Sequence, residues 1–100
     1  VYEHFMETSK TIFTFHALER LLQRQITRLD VLEVIAKHHI VENYPDSKPY
    51  PCQLIMGFAQ MKALHVVIAV DKIAQSVIII TAYWPDYEKW DDDFLKRLKS

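Results

Sequence analysis

Apolar positions along the chain change period once, and that change divides it. From Phe15 to Ile26 the residues Leu18, Leu21 and Leu22 recur at helical spacing, with Thr14 ahead of them as an N-cap. Thr27 opens a second helix, because Asp30 three residues on completes a capping-box pattern before Leu29, Val31, Leu32, Ile35 and Ala36. This helix is expected to reach about Lys37, with His38 and His39 in its last turn, where positive charge suits the helix dipole. Ile40 to Tyr44 alternates as a short strand does, and a loop holding Pro45, Pro49 and Pro51 follows. Then the period becomes that of strands. Cys52–Ala59, Leu64–Val70 and Ser76–Trp84 are rich in Val, Ile and aromatic residues, and the short breaks between them, Gln60 to Ala63 and Asp71 to Gln75, point to hairpins. The last two strands are apolar on both faces and are expected at the centre of the sheet. Trp90, Phe94 and Leu98 at i, i+4, i+8 suit a terminal helix. The pattern predicts an α+β domain: two N-terminal helices, three or four antiparallel strands and a C-terminal helix.

Composition sets bounds on what such a domain does. The chain has 100 residues, half of them hydrophobic and a quarter charged, so it is expected to form one domain with its core over about 12–98. A formal charge of -1 excludes a polybasic nucleic-acid binder. The charge is nonetheless segregated. His16 to Arg28 holds three arginines and one glutamate, a local +2, whereas Asp86 to Asp93 holds five acids and one lysine, a local -4. Cys52 is the only thiol, which excludes a disulfide framework and a cysteine zinc site and suits a reducing cytoplasm. Gly57 is the only glycine, which removes every glycine-rich phosphate loop. No stretch is long enough to span a membrane, and no signal-peptide pattern opens the chain.

One stripe stands out among the polar positions. His16, Arg20 and Arg24 fall within about 80° of one another on the first helix, on the side opposite Leu18, Leu21 and Leu22. Two guanidiniums beside an imidazole suit a phosphodiester, since Arg forks grip nonbridging oxygens and His exchanges protons near neutral pH. The same stripe also reads as a solvated helix face, partly neutralised by Glu19. His65 interrupts the apolar strand Leu64–Val70 and is either a hydrogen-bonded core histidine or a residue opening into a cleft. Thr81 and Tyr83 share a face at the end of the last strand with Ile79 and Val77. If His16, Arg20, Arg24, His65 and Tyr83 converge, they form a metal-independent ribonuclease site. The adjacent His38 and His39 suit capping better than chelation, and Asp91 to Asp93 suit a helix N-terminus better than a divalent cation.

Five strings carry a family resemblance in order over about Phe15 to Phe94. They are Phe15-His-Ala-Leu-Glu-Arg20, Arg24 with Ile26-Thr27, Tyr44-Pro-Asp-Ser-Lys-Pro-Tyr-Pro51, Leu64-His-Val-Val67, and Ile80-Thr-Ala-Tyr-Trp-Pro-Asp86 with Lys89-Trp90. Together they resemble the bacterial domain-of-unknown-function family 4258, whose members look like small type II toxin components, similar to RelE- and barnase-like ribonucleases. The resemblance implies N-terminal helices followed by a curved antiparallel sheet, and clustering of His16, Glu19, Arg20, Arg24, His65 and Tyr83. It implies a cytoplasmic, cofactor-free endoribonuclease leaving 2′,3′-cyclic phosphate ends. Its partners would be RNA, ribosome-bound mRNA included, a zinc-finger antitoxin, and a second copy in a homodimer, with no membrane. On this reading His65 and His16 exchange protons, Arg20 and Arg24 stabilise the phosphorane, Tyr83 orients, and Glu19, Lys62 and Thr81 hold substrate. Two departures are visible. Gln25 replaces the family's glycine after the arginine, and Met61-Lys-Ala63 replaces a Gly-Arg-Pro turn, leaving Lys62 as a partial substitute. The alternative is a non-catalytic RNA- or protein-binding module with an apolar rim of Met56, Phe58, Met61 and Trp84. A metal-dependent hydrolase using Asp91 to Asp93 is the third class.

Overall fold

In the computed structural model, which describes residues 10–86, both expected helices form behind their expected caps. The Thr14 side chain accepts from the Ala17 amide at 3.0 Å and starts α1, Phe15–Gln23. Thr27 accepts from the Asp30 amide at 3.0 Å, and the Asp30 carboxylate accepts from the Thr27 amide at 2.9 Å, which closes the capping box of α2, Arg28–Ala36. The buried Asp30 carboxylate also accepts from the Gln60 side-chain amide at 2.6 Å, tying the helix start to the turn at Gln60. The turn between the helices is made by Gln25 at φ 57°, the left-handed conformation that glycine takes without a Cβ penalty. His38 lies beyond α2, where its Nδ1–H donates to the Ile35 carbonyl at 2.8 Å. His39 is not in that last turn: it is the first residue of a strand.

The strands are β1 Lys10–Phe13, β2 His39–Tyr44, β3 Cys52–Ala59, β4 Lys62–Asp71 and β5 Ser76–Tyr83. Their order is β1-β5-β4-β3-β2, all antiparallel except β1, which runs parallel to β5. This corrects the expected architecture. Among the described residues the sheet has five strands and is mixed, and β1 precedes the helices, so they interrupt the sheet instead of leading it. Lys10-Thr-Ile-Phe13 escapes pattern reading because four residues with one alternation merge into the approach to the Thr14 cap. The expected C-terminal helix, Trp90 to Leu98, lies outside the described residues. Gln60 and Met61 both have positive φ and make the two-residue turn whose twist matches antiparallel strands, a tighter connection than the four-residue break expected.

Both helices pack on one face of the sheet. Ala17, Leu21, Ile26, Val31, Val34 and Ile35 close over Ile55, Leu64, Val66, Ile68, Val77, Ile79 and Ala82. Leu22, expected on the apolar side of α1, is instead 82% exposed. On the other face Leu54 and Met56 gather Val41, Ala63, Val67 and Tyr83. Between Val67 and Ile68 the β4–β5 register slips, so that Val67 pairs with Thr81 but Ile68 with Ile79. Ile80 is the inserted residue. The bulge moves Thr81 and Tyr83 off the face of Val77 and Ile79, contrary to simple alternation. Among the described residues no helix is long and apolar enough to cross a membrane.

Gly57 sits where α2 meets β3. A Cβ there would lie 3.0 Å from the Val34 Cα and 3.1 Å from the Lys37 carbonyl oxygen, both backbone atoms. Gly57→Ala is expected to lower unfolding free energy by about 1–3 kcal/mol, while Gln25→Gly raises it by about 0.5–1 kcal/mol by relieving the left-handed backbone. Urea denaturation of the two variants measures both signs.

Candidate functional site

The β1–β5 ladder ends at Phe13↔Ile79, because Thr14 turns the chain into α1. Among the described residues no strand pairs with the outer side of Ile80 to Tyr83, the last residues of β5. An open strand edge exposes backbone hydrogen-bonding groups that need other partners. Arg24 supplies one. Its Nη1 donates to the Ala82 carbonyl at 2.8 Å and to the Thr81 hydroxyl at 3.1 Å. The end of α1 reaches over this edge.

Around that edge is an open cavity of about 340 Å³, lined by His16, Arg20 and Arg24 from α1 and by Ile80, Thr81 and Tyr83 from β5. The bulge at Ile80 explains how two faces contribute. Ala82 points into the helix-side core, while Tyr83 packs with the cluster on the opposite face, so the cavity straddles the sheet edge. Arg20 has no hydrogen-bond or ion-pair partner among the described residues, and Arg24 uses only Nη1. One whole guanidinium and one Nε–Nη2 edge are thus available to an oxyanion.

The other candidate residues fall around this cavity, not in it. His65 is fully buried on β4 and does not line the wall. It pairs across the ladder with Tyr83, and its Nδ1 is 3.3 Å from the Tyr83 hydroxyl with the rings edge-on at 5.3 Å. The histidine thus reaches the cavity through the tyrosine, which combines the core and cleft readings. Glu19 faces His16, with its carboxylate 3.8 Å from Nδ1, and is absent from the lining. Lys62 sits with Nζ 4.4 Å from the centre of the Trp84 ring. In the sequence Trp84 reads as an apolar rim residue and as part of the string Ile80 to Asp86. It is partly buried against the helix-side core, and its indole N–H donates to the Arg24 carbonyl at 2.9 Å. The one advance signal was chemical, since a buried Trp N–H requires an acceptor. Of the remaining rim, Met56 is buried, while Phe58 and Met61 are exposed. Among the described residues no three His, Cys, Asp or Glu side chains gather as a metal site, and Asp91 to Asp93 lie outside those residues.

The family model for a domain of unknown function, DUF4258, matches residues 13–84. The chain belongs to this family. The match begins at the last residue of β1 and ends at the tryptophan bonded to Arg24, so every cavity residue falls within it. No curated protein and no solved structure matches the chain. In this DUF4258 domain the two arginines are separable by experiment. Arg20→Ala should leave stability within about 0.5 kcal/mol, as at an unpartnered surface position. Arg24→Ala should cost about 1.5–3 kcal/mol, because it strips hydrogen bonds made by a charged group to the edge of β5. Denaturation midpoints of the two variants compare them directly.

Proposed function

We propose that this DUF4258 domain is the toxin component of a type II toxin–antitoxin pair, a cytoplasmic endoribonuclease that works without a metal, by the chemistry of RelE- and barnase-like ribonucleases. The observation that carries the reading is the convergence of His16, Arg20, Arg24, Thr81 and Tyr83 on one cavity at the open edge of β5. Few substrates ask for this set. A phosphodiester needs cations for its nonbridging oxygens and proton carriers on either side of phosphorus.

In the proposed reaction the RNA 2′-oxygen attacks the adjacent phosphorus while the bond from phosphorus to the 5′-oxygen breaks. The His16 imidazole accepts the 2′-hydroxyl proton, and the Tyr83 hydroxyl donates a proton to the leaving 5′-oxygen. Arg20 and the open edge of Arg24 hold the nonbridging oxygens as charge grows on the phosphorane. Buried behind Tyr83, His65 touches no substrate and acts by holding the phenol hydroxyl. Thr81, fixed by Arg24, shapes the wall beside it. The products are a 2′,3′-cyclic phosphate and a 5′-hydroxyl. Lys62, stacked on Trp84, contributes positive charge near the cavity without lining it. An RNA, free or bound to the ribosome, is the substrate, and a zinc-finger antitoxin and a homodimer partner complete the toxin assignment.

Incubation of the purified chain with a long RNA in EDTA tests the reading. Cleavage leaving 2′,3′-cyclic phosphate ends is expected, falling about 10²–10³-fold in Arg20→Ala and at least about 10²-fold in Tyr83→Phe. Binding without cleavage would replace the enzyme by the RNA-binding module, for which the exposed Phe58 and Met61 offer an apolar contact surface. Cleavage that EDTA abolishes would favour the metal-dependent class.

A further inference from the structure

Arg24 is tied to the end of β5 twice, once by its main chain and once by its side chain. It is the C-cap of α1, where carbonyls lose their intrahelical partners. The Trp84 indole takes the Arg24 carbonyl at 2.9 Å, and the Arg24 guanidinium returns to Thr81 and Ala82 through Nη1 alone. Strand, tryptophan and arginine therefore close a ring of contacts spanning residues 81–84 and the end of the helix. The ring is braced from β4, where the Lys62 ammonium sits over the indole face.

A long arginine side chain ordinarily gives up rotamer freedom when it binds, and that loss subtracts from affinity. Here the loss is taken on folding. With Nη1 occupied, the Nε–Nη2 edge is the one left for a ligand, and that edge is a planar two-donor fork of the kind that matches paired phosphate oxygens. Arg24 is among the residues that line the cavity.

We infer that Trp84 is a positioning residue, which holds Arg24 through its backbone carbonyl so that the Nε–Nη2 edge faces the cavity and grips one phosphodiester group. The inference rests on the proposed phosphate site, yet part of its test does not depend on catalysis. Trp84→Phe keeps an aromatic ring beneath Lys62 and removes the indole donor.

With arginine side chains labelled by ¹⁵N in the full chain, the Arg24 Nε–H signal reports its mobility. Binding is measured with a short single-stranded RNA carrying 2′-fluoro groups, which cannot cyclise. In the wild type Arg24 Nε–H should be ordered. In Trp84→Phe it should become mobile while Arg20 is unaffected, and affinity should drop roughly three- to tenfold. Unchanged Arg24 order in Trp84→Phe overturns the inference. If Arg24 loosens but neither protein binds the oligonucleotide, the positioning role stands for the arginine and the ribonuclease reading falls. Should Trp84→Phe not fold, Lys62→Met reads the same ring from its other end. Partial loosening of Arg24 is then expected, and none would overturn it.

Discussion

The parallel pairing of β1 with β5 stops after four residues, and most of what is distinctive about the molecule follows from where it stops. Up to Phe13↔Ile79 the edge of β5 is covered by a strand. Beyond that point Thr14 has already committed the chain to a helix, and its hydroxyl lies 3.4 Å from the Ile79 carbonyl, the last group before the opening. The remaining edge of β5 needs partners for its backbone, and the helix that displaced the strand provides one through Arg24. A requirement of folding and the placement of a cation are here the same interaction.

The bulge at Ile80 adds the second half. A strictly alternating strand would have put Tyr83 with Ile79 in the core under α1. The inserted residue sends Tyr83 to the opposite face, beside His65, while Arg24 still holds the edge at Ala82. A cavity that wraps around a strand edge therefore receives cations from one side of the sheet and a hydroxyl backed by imidazole from the other. The total charge of -1 conceals this arrangement, because the positive stripe is confined to one helix face.

Much of this is legible in the sequence. The caps at Thr14 and Thr27, the strand Cys52–Ala59 and the stripe His16, Arg20, Arg24 rest on local rules, namely capping chemistry and angular spacing, and the structure keeps them. What stayed hidden depends on contacts between distant segments. β1 carries too few residues for a periodic signal and exists because β5 offers an edge. The slip at Ile80 is a register choice made between two strands. The exposure of Leu22, at the border of the apolar side of α1, reflects a helix that meets the sheet through Ala17 and Leu21 alone among its buried residues. Trp84 looked like surface apolar area because its acceptor, the Arg24 carbonyl, lies 60 residues earlier in the chain.

The proposed phosphate site lies at the open end of β5 under α1. Chemical-shift mapping of the ¹⁵N-labelled chain with inorganic phosphate, then with a trinucleotide carrying 2′-fluoro groups, tests it most directly. Saturable shifts should concentrate at Arg20, Arg24, Thr81 and Tyr83, stronger with the trinucleotide, and disappear in Arg20→Ala. Shifts centred on another face, or none at millimolar ligand, would contradict it.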